Sequence, residues 1–132
     1  MVVGKKRRTH RIRRAVIVGL LLAGSATAAR AADPAAGQQI FKAQCGICHP
    51  VTAGVNGIGP TLFGVIGRSA GSLPGFQFTA DHKKLGLTWD AATLDKYLTN
   101  PRAMVPDTTM IYAGLKDDDQ RANLIAYLET LH

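Results

Sequence analysis

Three stretches of the chain repeat apolar residues at the three-and-four spacing of a helix that buries one face. The first sets Gly37, Ile40, Phe41 and Cys45 on one side. It opens at Asp33-Pro34, an N-cap followed by proline at the first helical position, where a missing N–H costs nothing. The second begins near Thr88-Trp89, aligns Leu94, Tyr97 and Leu98, and stops by Asn100 because Pro101 follows. The third begins at Asp117, three residues before Gln120, a capping-box spacing with acids in the first turn. Its apolar face is Leu124, Ile125, Leu128 and Leu131. A single turn around Asp81–Leu85, closed by Gly86, is a fourth candidate. No alternating run is long enough to predict a strand, so the pattern predicts an all-α class.

Between the first and second helices lie some 40 residues rich in glycine (among them Gly54, Gly57, Gly59, Gly64, Gly67, Gly71 and Gly75) and with little periodicity. A loop of that length is unusual inside a compact domain. It adds ordering entropy while burying little apolar area of its own. A large, flat, apolar bound group resolves both difficulties, because the loops can pack on it instead of on each other.

Charge divides the chain in two. Residues 1–32 carry eight Lys and Arg and no acid, whereas residues 33–132 carry eight Lys and Arg against nine acids, a sum of −1. The formal charge of +7 therefore belongs to the first segment, and the body lacks the cation excess that nucleic-acid binding requires. Residues 1–32 have the three parts of a secretory signal: bases ending at Arg13-Arg14, an apolar run from Ala15 to Ala23, then small residues around Ala29-Arg30-Ala31. Even stretched to Ala29 the run is 15 residues, against the roughly 20 that span a bilayer. This predicts a cleavable leader over 1–32, one domain over 33–132, and export to the periplasm.

The chain has two cysteines, Cys45 and Cys48, with His49 directly after. Cys-x-x-Cys-His is the haem-attachment signature. Two thiols one helical turn apart can add to the two vinyl groups on one porphyrin edge, and the adjacent histidine is carried under the ring toward iron. A disulfide across so short a loop would stabilise little. A thioredoxin-like pair wants a βαβ setting, and zinc wants two more ligands, while His82 and His132 stand alone. Haem attachment is the favoured reading. A second axial ligand is then required, and the candidates are Met104 and Met110. Met110 is preferred because it sits in a segment without helical pattern, Pro106 to Gly114, just before the last helix.

Beyond the motif, a series of pieces runs in one order: Gly37-x-x-Ile40-Phe41, Gly59-Pro60-x-Leu62, Gly67-Arg68-x-Ala70-Gly71, Gly75-Phe76, and Gly86-Leu87-Thr88-Trp89. They continue with Tyr97-Leu98-x-Asn100-Pro101, Pro106-x-Thr108-x-Met110 and Leu124-Ile125-Ala126-Tyr127-Leu128. Over residues 36–131 the chain resembles the class I cytochromes c, in the branch of bacterial cytochrome c2 and the mitochondrial proteins. The resemblance implies a fold of three main helices with loops wrapped around one covalent haem. It implies His49 and Met110 as axial ligands, with the Pro60 carbonyl accepting the other imidazole N–H. Tyr97 would point its hydroxyl at the Met110 sulfur, and Arg68, Thr79, Trp89 and Thr108 would hydrogen-bond the propionates. Gly37 and Phe41 would pack on Leu124 and Tyr127 where the terminal helices cross.

Five positions depart from the family pattern. Phe78 stands for a tyrosine, His82 for an asparagine, Asp107 for a glycine and Thr109 for a lysine; Gln44 likewise replaces a lysine of the usual ring around the exposed haem edge. The implied activity is that of a monomeric electron carrier, not an enzyme. Its implied partners are redox proteins such as a quinol-oxidising complex, a terminal oxidase or a reaction centre, met in brief contacts at the membrane. A peroxidase or ligand sensor would need an open sixth site, against which Met110 argues.

Overall fold

A computed structural model describes residues 31–132 together with Met1 and Gly4, so the segment read as a leader lies almost wholly outside the described residues. The described chain forms five helices: α1 Pro34–Gln44, α2 Ala80–Lys84, α3 Ala91–Thr99, α4 Pro101–Met104 and α5 Asp118–Leu128. Among the described residues there is no strand, only an isolated antiparallel bridge between Ser69 and Thr88. The fold is all-α, as the periodicity predicts.

The caps follow the local chemistry. Asp33 accepts the Ala35 amide at 2.9 Å, and its own amide donates to Asn123 Oδ1 at 2.7 Å, fastening the start of α1 to α5. Asp117 accepts the Gln120 amide at 2.8 Å and opens α5. The second main helix starts later than the pattern suggests, at Ala91, with a reciprocal capping box between Asp90 and Thr93. Thr88 and Trp89 are not helical because their backbones are used elsewhere. The Trp89 amide donates to Arg68 O at 2.9 Å, and Gly67 N donates to Trp89 O at 2.8 Å.

Pro101 ends α3 and also begins α4, an unexpected single turn in which proline occupies the first position and its carbonyl accepts Val105 N at 2.9 Å. The last helix closes at Leu128, short of Leu131, which nonetheless packs half-buried against the core.

The core lies where α1 crosses α5 and α3 leans on α5. Phe41 and Tyr127 meet at 5.3 Å between ring centroids, and Leu124 is completely buried between them and α3. Gly37 is what lets the terminal helices touch: a Cβ there would lie inside the Asn123 carbonyl and 2.9 Å from Tyr127 Cβ. Arg121, buried on α5, ties three segments together. It pairs with Asp95 of α3 at 2.6 Å and Asp118 at 2.7 Å, and donates to Leu115 O at 2.9 Å. This frame leaves the long glycine-rich loop and the segment 105–117 to wall a cavity on its open side.

Candidate functional site

The turn that ends α1 carries the cysteines. Cys48 N and His49 N both donate to Cys45 O, at 3.0 and 2.9 Å, so one tight turn presents two thiols and the following imidazole on the same wall. Both thiols are free and half-buried, so the short disulfide is not formed. Burial pushes the Cys45 thiol up to about 11, with the neighbouring Cys48 adding to the effect. Among the described residues no three His, Cys, Asp or Glu side chains gather as a metal site.

His49 is oriented by the loop that follows it. Gly59 N donates to Cys48 O and Leu62 N to Pro50 O, both at 2.9 Å, and this fold-back clamps Pro60 against the imidazole. His49 Nδ1 donates to the Pro60 carbonyl at 2.8 Å. Burial lowers the histidine's proton affinity, more than the Pro60 carbonyl raises it, so the ring is neutral and its Nε2 lone pair is free. The ring packs against Gly59, where any Cβ would strike it. Thr61, which sequence reasoning passed over, locks the loop: its buried hydroxyl donates to Thr52 O at 2.9 Å and accepts Phe63 N at 3.1 Å.

The cavity beside this turn measures about 500 Å³, inside the roughly 300–1,000 Å³ range of cofactor and small-molecule pockets. Cys45, Cys48, His49 and Pro60 line one part, and Thr108 and Met110 of the helix-free segment another. Arg68, Thr79, Trp89 and Tyr97 line it too, so the structure brings every site residue expected from the sequence into one pocket. Met104, the other methionine, ends α4 and packs partly buried against the core without lining the cavity.

The polar partners are more particular than the resemblance implies. Arg68 donates Nη1 to Thr61 O at 2.9 Å and Nη2 to Phe63 O at 2.7 Å, and burial lowers its proton affinity. The Thr79 hydroxyl hydrogen-bonds the Asp107 carboxylate, which the amides of Ala80 and Asp81 also reach; these donors, Thr79 first, hold Asp107 below the usual carboxylate range. Thr108 accepts Met110 N at 3.2 Å and hydrogen-bonds the Tyr97 phenol, whose proton is held tighter chiefly by burial. Tyr97 thus meets the methionine segment through Thr108. The Trp89 indole N–H has no protein acceptor among the described residues.

His82, noted in the sequence only as a departure, also lines the cavity. It sits among three rings, with centroids 4.8 Å from Phe78, 5.9 Å from Trp89 and 6.2 Å from Tyr97. Around the mouth, Ile47 and Ile111 are 85 and 99 % exposed, and the Tyr112 hydroxyl donates to Gln44 Oε1 at 2.8 Å.

The donor set suits a flat iron-bearing macrocycle. Two unbonded thiols stand on one wall, with a neutral imidazole beside them and a thioether and an uncommitted indole N–H on a mostly apolar lining. The cytochrome c family model matches residues 34–132. Cytochrome c2 of Rhodomicrobium vannielii is 51 % identical over 117 residues, covering 88 % of this chain and 93 % of its own. Cytochrome c2 iso-2 of Magnetospirillum fulvum is 53 % identical over 87 residues (66 and 91 %), and cytochrome c2 of Blastochloris viridis 41 % over 118 (88 and 92 %). Pocket and kinship converge, and the chain belongs to the cytochrome c family as a class I member, an electron carrier rather than an enzyme, with one covalently attached haem c.

Proposed function

We propose that this chain is an exported, monomeric carrier whose single haem is attached through Cys45 and Cys48 and ligated axially by His49 and Met110. The observation that carries the reading is the shared pocket, in which the attachment turn, the neutral His49 imidazole on Pro60 O (2.8 Å) and Met110 all face one cavity. Bound there, the group supplies a one-electron couple.

The residues do the rest. Pro60 fixes the imidazole's tautomer and orientation, as partners behind a metal ligand do. The Met110 thioether is a soft donor that favours the ferrous state and raises the potential. Leu62, Val65, Leu94, Leu98 and Leu128 exclude water from the cavity, which favours the less charged form. Arg68, Trp89, Thr79 and Thr108 line the cavity and would hold the propionates, with the Trp89 N–H the donor least committed to protein.

Redox proteins are the partners of such a carrier. We assign to this chain a quinol-oxidising complex as donor and a terminal oxidase or photosynthetic reaction centre as acceptor. Residues 1–32 act as a leader removed on passage to the periplasm. The intact mass and the reduced-minus-oxidised spectrum of the purified protein test the whole reading. The mass should equal a chain beginning between Arg30 and Asp33 plus one haem, with a sulfur–iron band in the far red. A mass without haem refutes the reading, and one that retains residues 1–29 refutes cleavage.

A further inference from the structure

His82 is the histidine for which the carrier reading has no use. It lines the same cavity as Met110, and neither of its ring nitrogens has a protein hydrogen-bond partner among the described residues. Burial lowers its proton affinity more than Asp107 raises it, so the imidazole is neutral and keeps a lone pair. Its neighbours place it with the methionine segment: it packs on Tyr97 (6.2 Å), Tyr97 reaches Thr108, and Thr108 accepts the amide of Met110.

The helix that carries it is short. Helix α2 is five residues long with none buried, and it lies between Gly75 and Gly86, both at positive φ. What holds it to the methionine segment is the Asp107 carboxylate, bound to the Thr79 hydroxyl and the first amides of the turn. The same carboxylate lies near enough to His82 to act on it through its charge, which ties the histidine to the methionine segment. Residues 100–112, which carry Met110, contain no lysine and no histidine, so that segment offers no nitrogen donor to follow Met110 when it leaves.

We infer that His82 is a second, alternative iron ligand, recruited to the haem when Met110 dissociates. The inference rests on the assignment of Met110 as the resting ligand. The exchange breaks one iron–sulfur bond and makes one iron–nitrogen bond, with no change in electron count and no proton released from a neutral imidazole. Its consequence is a carrier with two potentials. Replacing soft sulfur by imidazole removes the preference for Fe(II), so the His82-bound form has the lower potential and is held oxidised.

The test uses the ferric holoprotein. Met110→Ala should lose the sulfur–iron band and give the low-spin spectrum of two nitrogen ligands, and adding His82→Asn should turn that spectrum high-spin. Added imidazole should then bind the double variant about tenfold more tightly than Met110→Ala, because an internal competitor has been removed. Should Met110→Ala fail to hold its haem, the chain with Met110 intact, warmed until its sulfur–iron band is lost, serves instead: low-spin with His82, high-spin with His82→Asn. A Met110→Ala protein that is high-spin, or low-spin whether or not His82 is present, overturns the inference. Retention of the sulfur–iron band by Met110→Ala would sink the Met110 assignment itself, and the inference with it.

Discussion

At the scale of single residues, the two methionines separate packing from ligation. Met110 lines the cavity from a segment without secondary structure, whereas Met104 ends α4 against the core. Met104→Leu conserves volume and should cost less than about 1.5 kcal/mol while leaving the sulfur–iron band in place. Met110→Ala should abolish that band and lower the potential, because no thioether then favours ferrous iron. Far-red absorbance beside equilibrium redox titration reads both. If the Met104 variant loses the band and the Met110 variant keeps it, the assignment is wrong. The sequence named Met110 from its irregular setting, but nothing local distinguishes a ligand from a packed thioether; only the shared cavity does.

Elements are decided by caps and by close approach. Gly37→Ala should destabilise the holoprotein by about 1–3 kcal/mol or more, since the added methyl meets the rigid Asn123 backbone at the α1–α5 crossing. Leu124→Ala should cost roughly 2–5 kcal/mol, its site being fully buried in the same crossing. Denaturant unfolding monitored by tryptophan fluorescence measures both, and a Gly37→Ala protein as stable as the parent would refute this account of the crossing. Acid sensitivity belongs here too. The Thr93 amide and hydroxyl hold Asp90 below its ordinary pKa, so its contribution is present above the ordinary carboxylate range and is lost as pH falls through the depressed value. Asp90→Asn, which keeps the cap acceptor and removes the titration, should flatten the acid side of the Tm-against-pH curve. An unchanged acid limb would show that other carboxylates govern it.

For the whole molecule, the charges of the folded body nearly cancel, eight bases against nine acids summing to −1 across residues 33–132. Apolar Ile47 and Ile111 stand exposed around the mouth of the cavity, and Gln44 is engaged by Tyr112 where a lysine would otherwise reach out. Electron transfer to the physiological acceptor should therefore change by less than about threefold between low and physiological ionic strength, against the tenfold or more of strongly steered pairs. Stopped-flow rates across added salt decide it. A steep fall would show that Lys42, Lys83, Arg102 and Lys116 form a local positive face despite the net charge.

The sequence by itself determined the all-α class, the starts of α1 and α5, the attachment turn and the kinship, because helical periodicity, caps and a three-residue cysteine spacing are all local. Local rules also erred where a backbone found a distant partner. Thr88 and Trp89 read as a helix start, yet Trp89 pairs with Gly67 and Arg68 and delays α3 to Ala91. Pro101 read as a stop, and it is also the first residue of α4. The tertiary structure alone decided how the polar groups around the cavity are shared. Arg68 is engaged by Thr61 and Phe63, Thr79 by Asp107, and Tyr97 by Thr108, while His82 is left among three rings. The Thr79–Asp107, Tyr97–Thr108 and His82–Tyr97 contacts join residues more than ten apart, and the Arg68 pair lies in a loop with no periodicity, so none of them leaves a mark in sequence spacing.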